Sequence, residues 1–168
     1  MKNRFSASVF ASRPSVLFVL LALTLFHSTL AAAPVELSSG TAKGTFTPKG
    51  QPTVTLACAA AFVDVKDEEK PVILLLSDKK LPTEKWTSEF DLMRAHPTFS
   101  GVLFWINKAG EVFRTDVYQN GRQSSVGGMF SLQLDSPMGG KELTGTAGNK
   151  DAESADHKLD ATFHATLK

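Results

Sequence analysis

The sequence predicts a mainly β fold, an antiparallel sandwich or barrel of about seven to eight strands with one short α-helix. Three observations predict it. Between Leu159 and Leu167 the chain alternates strictly, with Leu159, Ala161, Phe163, Ala165 and Leu167 apolar and Asp160, Thr162, His164 and Thr166 polar. Such period-two alternation sets one strand face on a core and the other in water. Two runs, Val72-Ile-Leu-Leu-Leu76 and Val102-Leu-Phe-Trp-Ile106, are apolar throughout, which marks strands covered on both faces and placed centrally. Turns rich in Gly and Pro separate these segments at short intervals, the spacing of sandwiches and barrels.

The first segment stands apart from the fold. Residues 1–33 read as an export signal peptide: Lys2, Arg4 and Arg13 give a basic start, Val16–Phe26 an apolar core, and Ala31–Ala33 a small-residue end. That core is half the roughly 20 apolar residues a spanning helix requires, so no membrane span is expected once the signal is removed. Residues 34–168 are then expected to form a single exported β-rich domain, periplasmic or secreted. The signal takes three of the chain's 18 basic side chains and none of its 17 acids, leaving 15 against 17, or −2 with histidines neutral. A domain of that charge lacks the basic footprint of a nucleic-acid binder.

Gly44–Thr47 and Val54–Phe62 are strands separated by the turn-forming cluster Pro48-Lys-Gly-Gln-Pro52. Val54, Leu56, Cys58, Ala60 and Phe62 fall on one face by alternation, making Cys58 a small buried filler. A reactive thiol requires a neighbouring His, Lys or Arg, and none is local in sequence. Ala57, Ala59 and Ala61 leave the other face low, which predicts close approach there by the helix or by a ligand. Asp64, Asp67, Glu68 and Glu69 with Lys66 and Lys70 form a charged hairpin tip that keeps strand ends soluble.

The helix is predicted over 82–95. Trp86, Phe90 and Met93 stand at i, i+4 and i+7 and so share a face. Pro82 is tolerated in a first turn, and Pro97 bars continuation past His96. The simpler reading lays this stripe over an end or face of the sheet. The sharper one makes Trp86, Phe90 and Met93 the ligand-binding lid of an apolar cavity. Phe113, Thr115 and Val117, then Phe130, Leu132 and Leu134, alternate with polar residues and predict two further half-buried strands.

Several chemistries are absent from the sequence. No Gly-x-Ser-x-Gly elbow occurs, and Ser124 and Ser125 sit in a Gly-bounded loop. Gly140-Lys141 is followed by Glu142, unlike a phosphate-binding loop. There is no Cys-x-x-Cys or His-x-x-x-His pair for zinc, and His157 and His164, an odd number of residues apart on one strand, face opposite ways. Asn149, Asp151, Glu153 and Asp160 match calcium-loop positions, but the required Gly is Ser154 and a strand follows. No catalytic set, metal site or cofactor is therefore expected.

Gly44-Thr-Phe-Thr47, Ala60-Ala-Phe62, Val72–Asp78 and the closing Leu159-Asp-Ala-Thr-Phe-His-Ala-Thr-Leu167 resemble a loose group of uncharacterised exported bacterial β-domains. The resemblance covers most of residues 40–168 and implies export and a compact β fold. It supplies no activity and no site. The leading expectation is a non-catalytic exported binding or accessory domain. Its partner would be an envelope or extracellular component, met through the loops around Tyr118–Gly128 or the edge strands. One alternative is a carrier of a small apolar ligand, with Trp86, Phe90 and Met93 beside a helix-capped cavity. Another is a hydrolase-like enzyme using His96 with Asp91 or Glu89.

Overall fold

The computed structural model describes residues 36–95, 98–151 and 156–168. Residues 1–33, read above as an export signal, and His96 lie outside the described residues.

Nine strands follow in chain order: β1 Thr41–Thr47, β2 Val54–Val63, β3 Val72–Ser77, β4 Gly101–Ile106, β5 Val112–Gln119, β6 Arg122–Ser125, β7 Phe130–Leu134, β8 Glu142–Asn149 and β9 Lys158–Thr166. They make one antiparallel sheet in the order β6-β5-β4-β3-β2-β1-β9-β8-β7. That sheet curls into a half-barrel. The mainly β expectation holds. Among the described residues there are nine strands rather than seven or eight, and they form one coiled sheet, not a sandwich of two.

The curl follows from side-chain size. On the concave face β1, β8 and β9 contribute Ala42, Gly44, Ala147, Ala161 and Ala165, while Phe46, Phe104, Phe130 and Phe163 fill the interior with Leu56, Leu74, Leu76 and Leu143. A Cβ at Gly44 would fall 2.1 Å from the Asp160 carbonyl oxygen, so only glycine fits where β1 meets β9. Phe46 and Phe130, from distant parts of the sheet, meet edge to face at 6.4 Å.

The convex face carries a second core over the middle strands. Ile73 and Leu75 of β3, and Leu103 and Trp105 of β4, point outward into a cluster with Phe62, Leu81, Trp86, Leu92, Phe99 and Tyr118. Val72, Leu74, Leu76, Val102, Phe104 and Ile106 point inward. The uninterrupted apolar runs are thus buried on both sides, as expected of central strands.

The helical segment differs from its prediction. A single 3-10 turn, Thr83–Lys85, ends at Trp86, whose extended backbone breaks the helix. A separate seven-residue helix, α1, spans Glu89–Ala95. The break is local chemistry. Asp91 accepts hydrogen bonds from the Thr87 amide (2.9 Å), the Thr87 hydroxyl (3.1 Å) and the Ser88 hydroxyl (3.1 Å), the Ser-x-x-Asp arrangement that starts a new helix. Trp86, Phe90 and Met93 consequently do not form one stripe. Trp86 is buried edge-on against Phe62, whereas Phe90 and Met93 are half exposed. Leu92 is the helix's fully buried residue.

Strand β2 also departs from simple alternation. Thr41 pairs with Cys58 but Gly44 with Leu56, so β1 carries an extra residue there and the faces of β2 exchange. Leu56 faces the interior, and beyond the irregularity Ala59 and Ala61 do so instead. The five-residue face from Val54 to Phe62 is therefore split. Ala59 and Ala61 of the low alanine face join the interior cluster while Ala57 is exposed, and the helix packs on the opposite surface through Leu92.

Candidate functional site

The richest polar arrangement stands on the convex face where β5, β6 and α1 meet. Asn120 and Gly121, both with positive φ, make the tight turn between β5 and β6. The turn brings Gln123 opposite Tyr118 and Ser125 opposite Asp116. Asp116 is fully buried. Its carboxylate accepts from Arg114 Nε (3.2 Å) and Nη2 (2.6 Å), from the Ser125 hydroxyl (2.6 Å) and from the Gln123 amide. Burial alone would raise the Asp116 pKa, but these donors outweigh it and hold the group below its ordinary value.

Arg114 reaches in two directions. Besides Asp116 it donates Nη1 and Nη2 to the two Glu89 carboxylate oxygens at 2.9 and 2.7 Å, and its guanidinium lies 4.1 Å from the Trp105 ring centroid. Tyr118 donates to the Gln123 side-chain oxygen at 2.9 Å, and burial pushes the Tyr118 phenol up to about 12. On the other side of α1, buried Asp64 accepts from the Glu89 amide at 2.9 Å and the Lys66 amide at 3.0 Å. Asp64 is thus part of the helix anchor, beyond a charged hairpin tip. The whole assembly pins α1 to β5 and holds the β5–β6 hairpin shut.

Directly below this clasp the sheet opens. Val126 still donates to the Thr115 carbonyl at 2.9 Å. Past that bond Gly127 and Gly128 lead the chain away from the β5 ladder and into β7, which among the described residues pairs with β8 alone. A cleft of about 330 Å³ lies between, lined by β5 residues Val112–Thr115, by Gly127 and Gly128, and by Phe130 and Leu132 of β7. A register irregularity between Trp105 and Ile106 accompanies an exposed Phe113 at this edge, while Val112 packs toward the interior. The expected inward place of Phe113 is taken by Val112.

A second concavity of about 210 Å³ lies by the 3-10 turn, lined among others by Cys58, Lys80, Leu81 and Lys168. Lys80 reaches Cys58 only through folding. Burial still pushes the thiol up, with Lys80 opposing and Asp78 reinforcing. Among the described residues, no three His, Cys, Asp or Glu side chains gather in a metal-holding group. Asn149, suggested by the calcium-loop spacing, instead clamps β8 to β9 by donating to the His157 carbonyl (2.8 Å) and accepting from the Leu159 amide (2.7 Å). His157 stacks on Phe46, and His164 lies between the Leu37 carbonyl and Glu142.

The chain matches no family model, no curated protein and no solved structure. The site is therefore read from its own geometry. Trp86, Phe90 and Met93 line neither concavity. Among the described residues no helix is long and apolar enough to cross a membrane. Arg114, Asp116 and Gln123 escaped the sequence reading, and Glu89 was considered there only as a partner for His96. The available signal was a charged pair, Arg114-x-Asp116, sharing a strand face whose partner across a Asn-Gly turn carries polar side chains.

Proposed function

We propose that this chain is a non-catalytic exported binding or accessory domain whose working surface is the cleft between β5 and β7. The observation that carries this reading is the contrast across the Val126–Thr115 bond. Above it Asp116, Arg114 and Glu89 are saturated by one another and serve as a clasp. Below it two strand edges and the half-exposed Phe113 face an opening in the half-barrel. Charged groups so fully engaged favour architecture over turnover. An exposed aromatic beside a cleft of mixed polar and apolar lining favours recognition.

The test is photo-cross-linking in cells that export the chain, with p-benzoylphenylalanine placed at position 113. A discrete, reproducible adduct that is missing when the label stands at exposed Lys43 supports the reading. Equal labelling from both positions, or none from position 113, refutes it.

A further inference from the structure

We propose that one end of the half-barrel binds a single-chain alkyl carboxylate of about eight carbons, its tail against the interior and its carboxylate at Lys70 and Lys108. This site is separate from the β5–β7 cleft and rests on none of its features. A cavity of about 220 Å³ lies there, where the ends of β2, β3 and β4 meet the β7–β8 turn and Leu167. Three features define its occupant.

The first is the division of the lining into apolar walls and cationic side chains. Val72 and Ile106 belong to the buried core, and Val63, Met138 and Leu167 pack against that core while staying partly accessible. The polar side chains of the lining are Asn107 and the two lysines, with no carboxylate among the described residues there. The register explains why the lysines meet. Val72 pairs with Ile106, so Lys70, two residues before the one, and Lys108, two residues after the other, leave the same end of the β3–β4 ladder. Apolar walls with a few placed polar groups bind a ligand of matching polarity and fix its direction. Here the match is a hydrocarbon tail with an anionic head.

The second is the condition of those lysines. Among the described residues neither takes part in an ion pair. Glu68 and Glu69 share a loop with Lys70 but do not line the cavity, Asp67 accepts from the Glu69 amide (2.8 Å), and Glu111 accepts from Asn107 (3.0 Å). Lys70 also holds a left-handed backbone (φ 49°), which glycine or asparagine adopts more readily. A lysine in that conformation, with no partner for its ammonium among the described residues, points to a use for its charge outside the fold.

The third is size. A water occupies about 30 Å³ of the liquid, a methylene takes a similar volume, and the cavity therefore holds roughly seven such groups. That is the tail of octanoate. The lining contains no aromatic ring on which a nucleotide or other flat anion would stack. An inorganic anion would leave the apolar walls without a role, and a plain hydrocarbon would leave the lysines without one.

The experiment is isothermal titration calorimetry of sodium octanoate into the protein purified from cells that export it, with sodium acetate and 1-octanol as controls. Octanoate is expected to bind saturably at one site, and affinity should fall about two- to fourfold for each methylene removed, through hexanoate to butanoate. Acetate, a head without a tail, should not saturate. The tail without a charge, 1-octanol, should bind at least about threefold more weakly than octanoate. Lys70→Gly should weaken octanoate by a similar factor without lowering the thermal midpoint, because glycine suits the left-handed backbone. Should that variant fail to fold, Lys108→Gln on the exposed β4–β5 turn supplies the same comparison. In NMR spectra octanoate should shift the methyl signals of Val63, Met138 and Leu167. The proposal is overturned by absence of saturable octanoate binding, by acetate or 1-octanol binding as tightly, by unchanged affinity in both lysine variants, or by shifts centred elsewhere.

Discussion

Replacing Asp116 by alanine should cost the fold about 3 kcal/mol. The figure comes from the residue's surroundings. Its carboxylate is wholly buried and takes bonds from Arg114, Gln123 and Ser125. Stripping one partner from a sealed ion pair costs about 3–5 kcal/mol, mainly by stranding the other charge. Arg114 is not sealed: its side chain is 36% exposed and retains Glu89 and the Trp105 face, so the lower end applies. Two neutral donors, on Gln123 and Ser125, lose their acceptor at about 1 kcal/mol each and partly recover through water. Urea unfolding followed by tryptophan fluorescence measures the loss, with Trp105 beneath Arg114 as a local reporter. A double-mutant cycle with Arg114→Met should return a coupling of at least about 1 kcal/mol. A loss under about 1 kcal/mol, or no coupling, would refute the clasp. The pH dependence has a definite sign. Because the folded carboxylate titrates below its ordinary value, its contribution is complete above the unfolded pKa of 3.8 and vanishes as pH falls through the lowered folded value. The gap between parent and variant should therefore close in acid.

Glycine substitutions separate crowding from open space. Gly44→Ala should lower the thermal midpoint sharply, because its Cβ meets the Asp160 carbonyl at 2.1 Å, while Gly127→Ala should leave it unchanged or raise it; equal effects would contradict the packing. His157, just before β9, and His164, within it, should show pKa values displaced in opposite directions by NMR. His164 is raised by its hydrogen bonds to the Leu37 carbonyl and Glu142, so its stabilisation is full below its unfolded pKa and lost as pH rises through the folded value. His157 is lowered by burial, so protonating it in mild acid is destabilising, and coincident titrations would defeat both assignments. The Cys58 thiol, raised by burial, should react with a disulfide reagent at neutral pH more slowly than a free cysteine peptide; faster reaction would show that Lys80 dominates.

How much of this was legible in the sequence depended on whether local pattern or distant contact set the outcome. The closing strand β9 follows its alternation residue by residue, because both of its edges are paired and nothing interrupts the pleat. The apolar runs of β3 and β4 likewise announce burial on two faces. Alternation misled where a register irregularity intervened, at Cys58 in β2 and at Phe113 in β5, since an added residue exchanges faces without marking the composition. The helix was placed correctly in the chain but drawn as one piece. Its Ser88-x-x-Asp91 start was present in the sequence and overridden by the period of Trp86, Phe90 and Met93. The clasp joins residues 64, 89, 114, 116, 123 and 125, which only topology brings together. The stretch Tyr118–Gly128, marked in the sequence by its glycines and polar residues, contains the two glycines through which the chain passes from β6 to β7.

The most direct measurement is residue-resolved amide hydrogen exchange on the unliganded chain. An open seam predicts that Val112–Arg114 and the alternate β7 amides directed away from β8 exchange far faster than amides of β3 and β4, whose protection approaches that of global unfolding. Protection at the seam equal to that of β3 and β4 would mean that β5 and β7 are joined, and the cleft on which the functional reading rests would not exist.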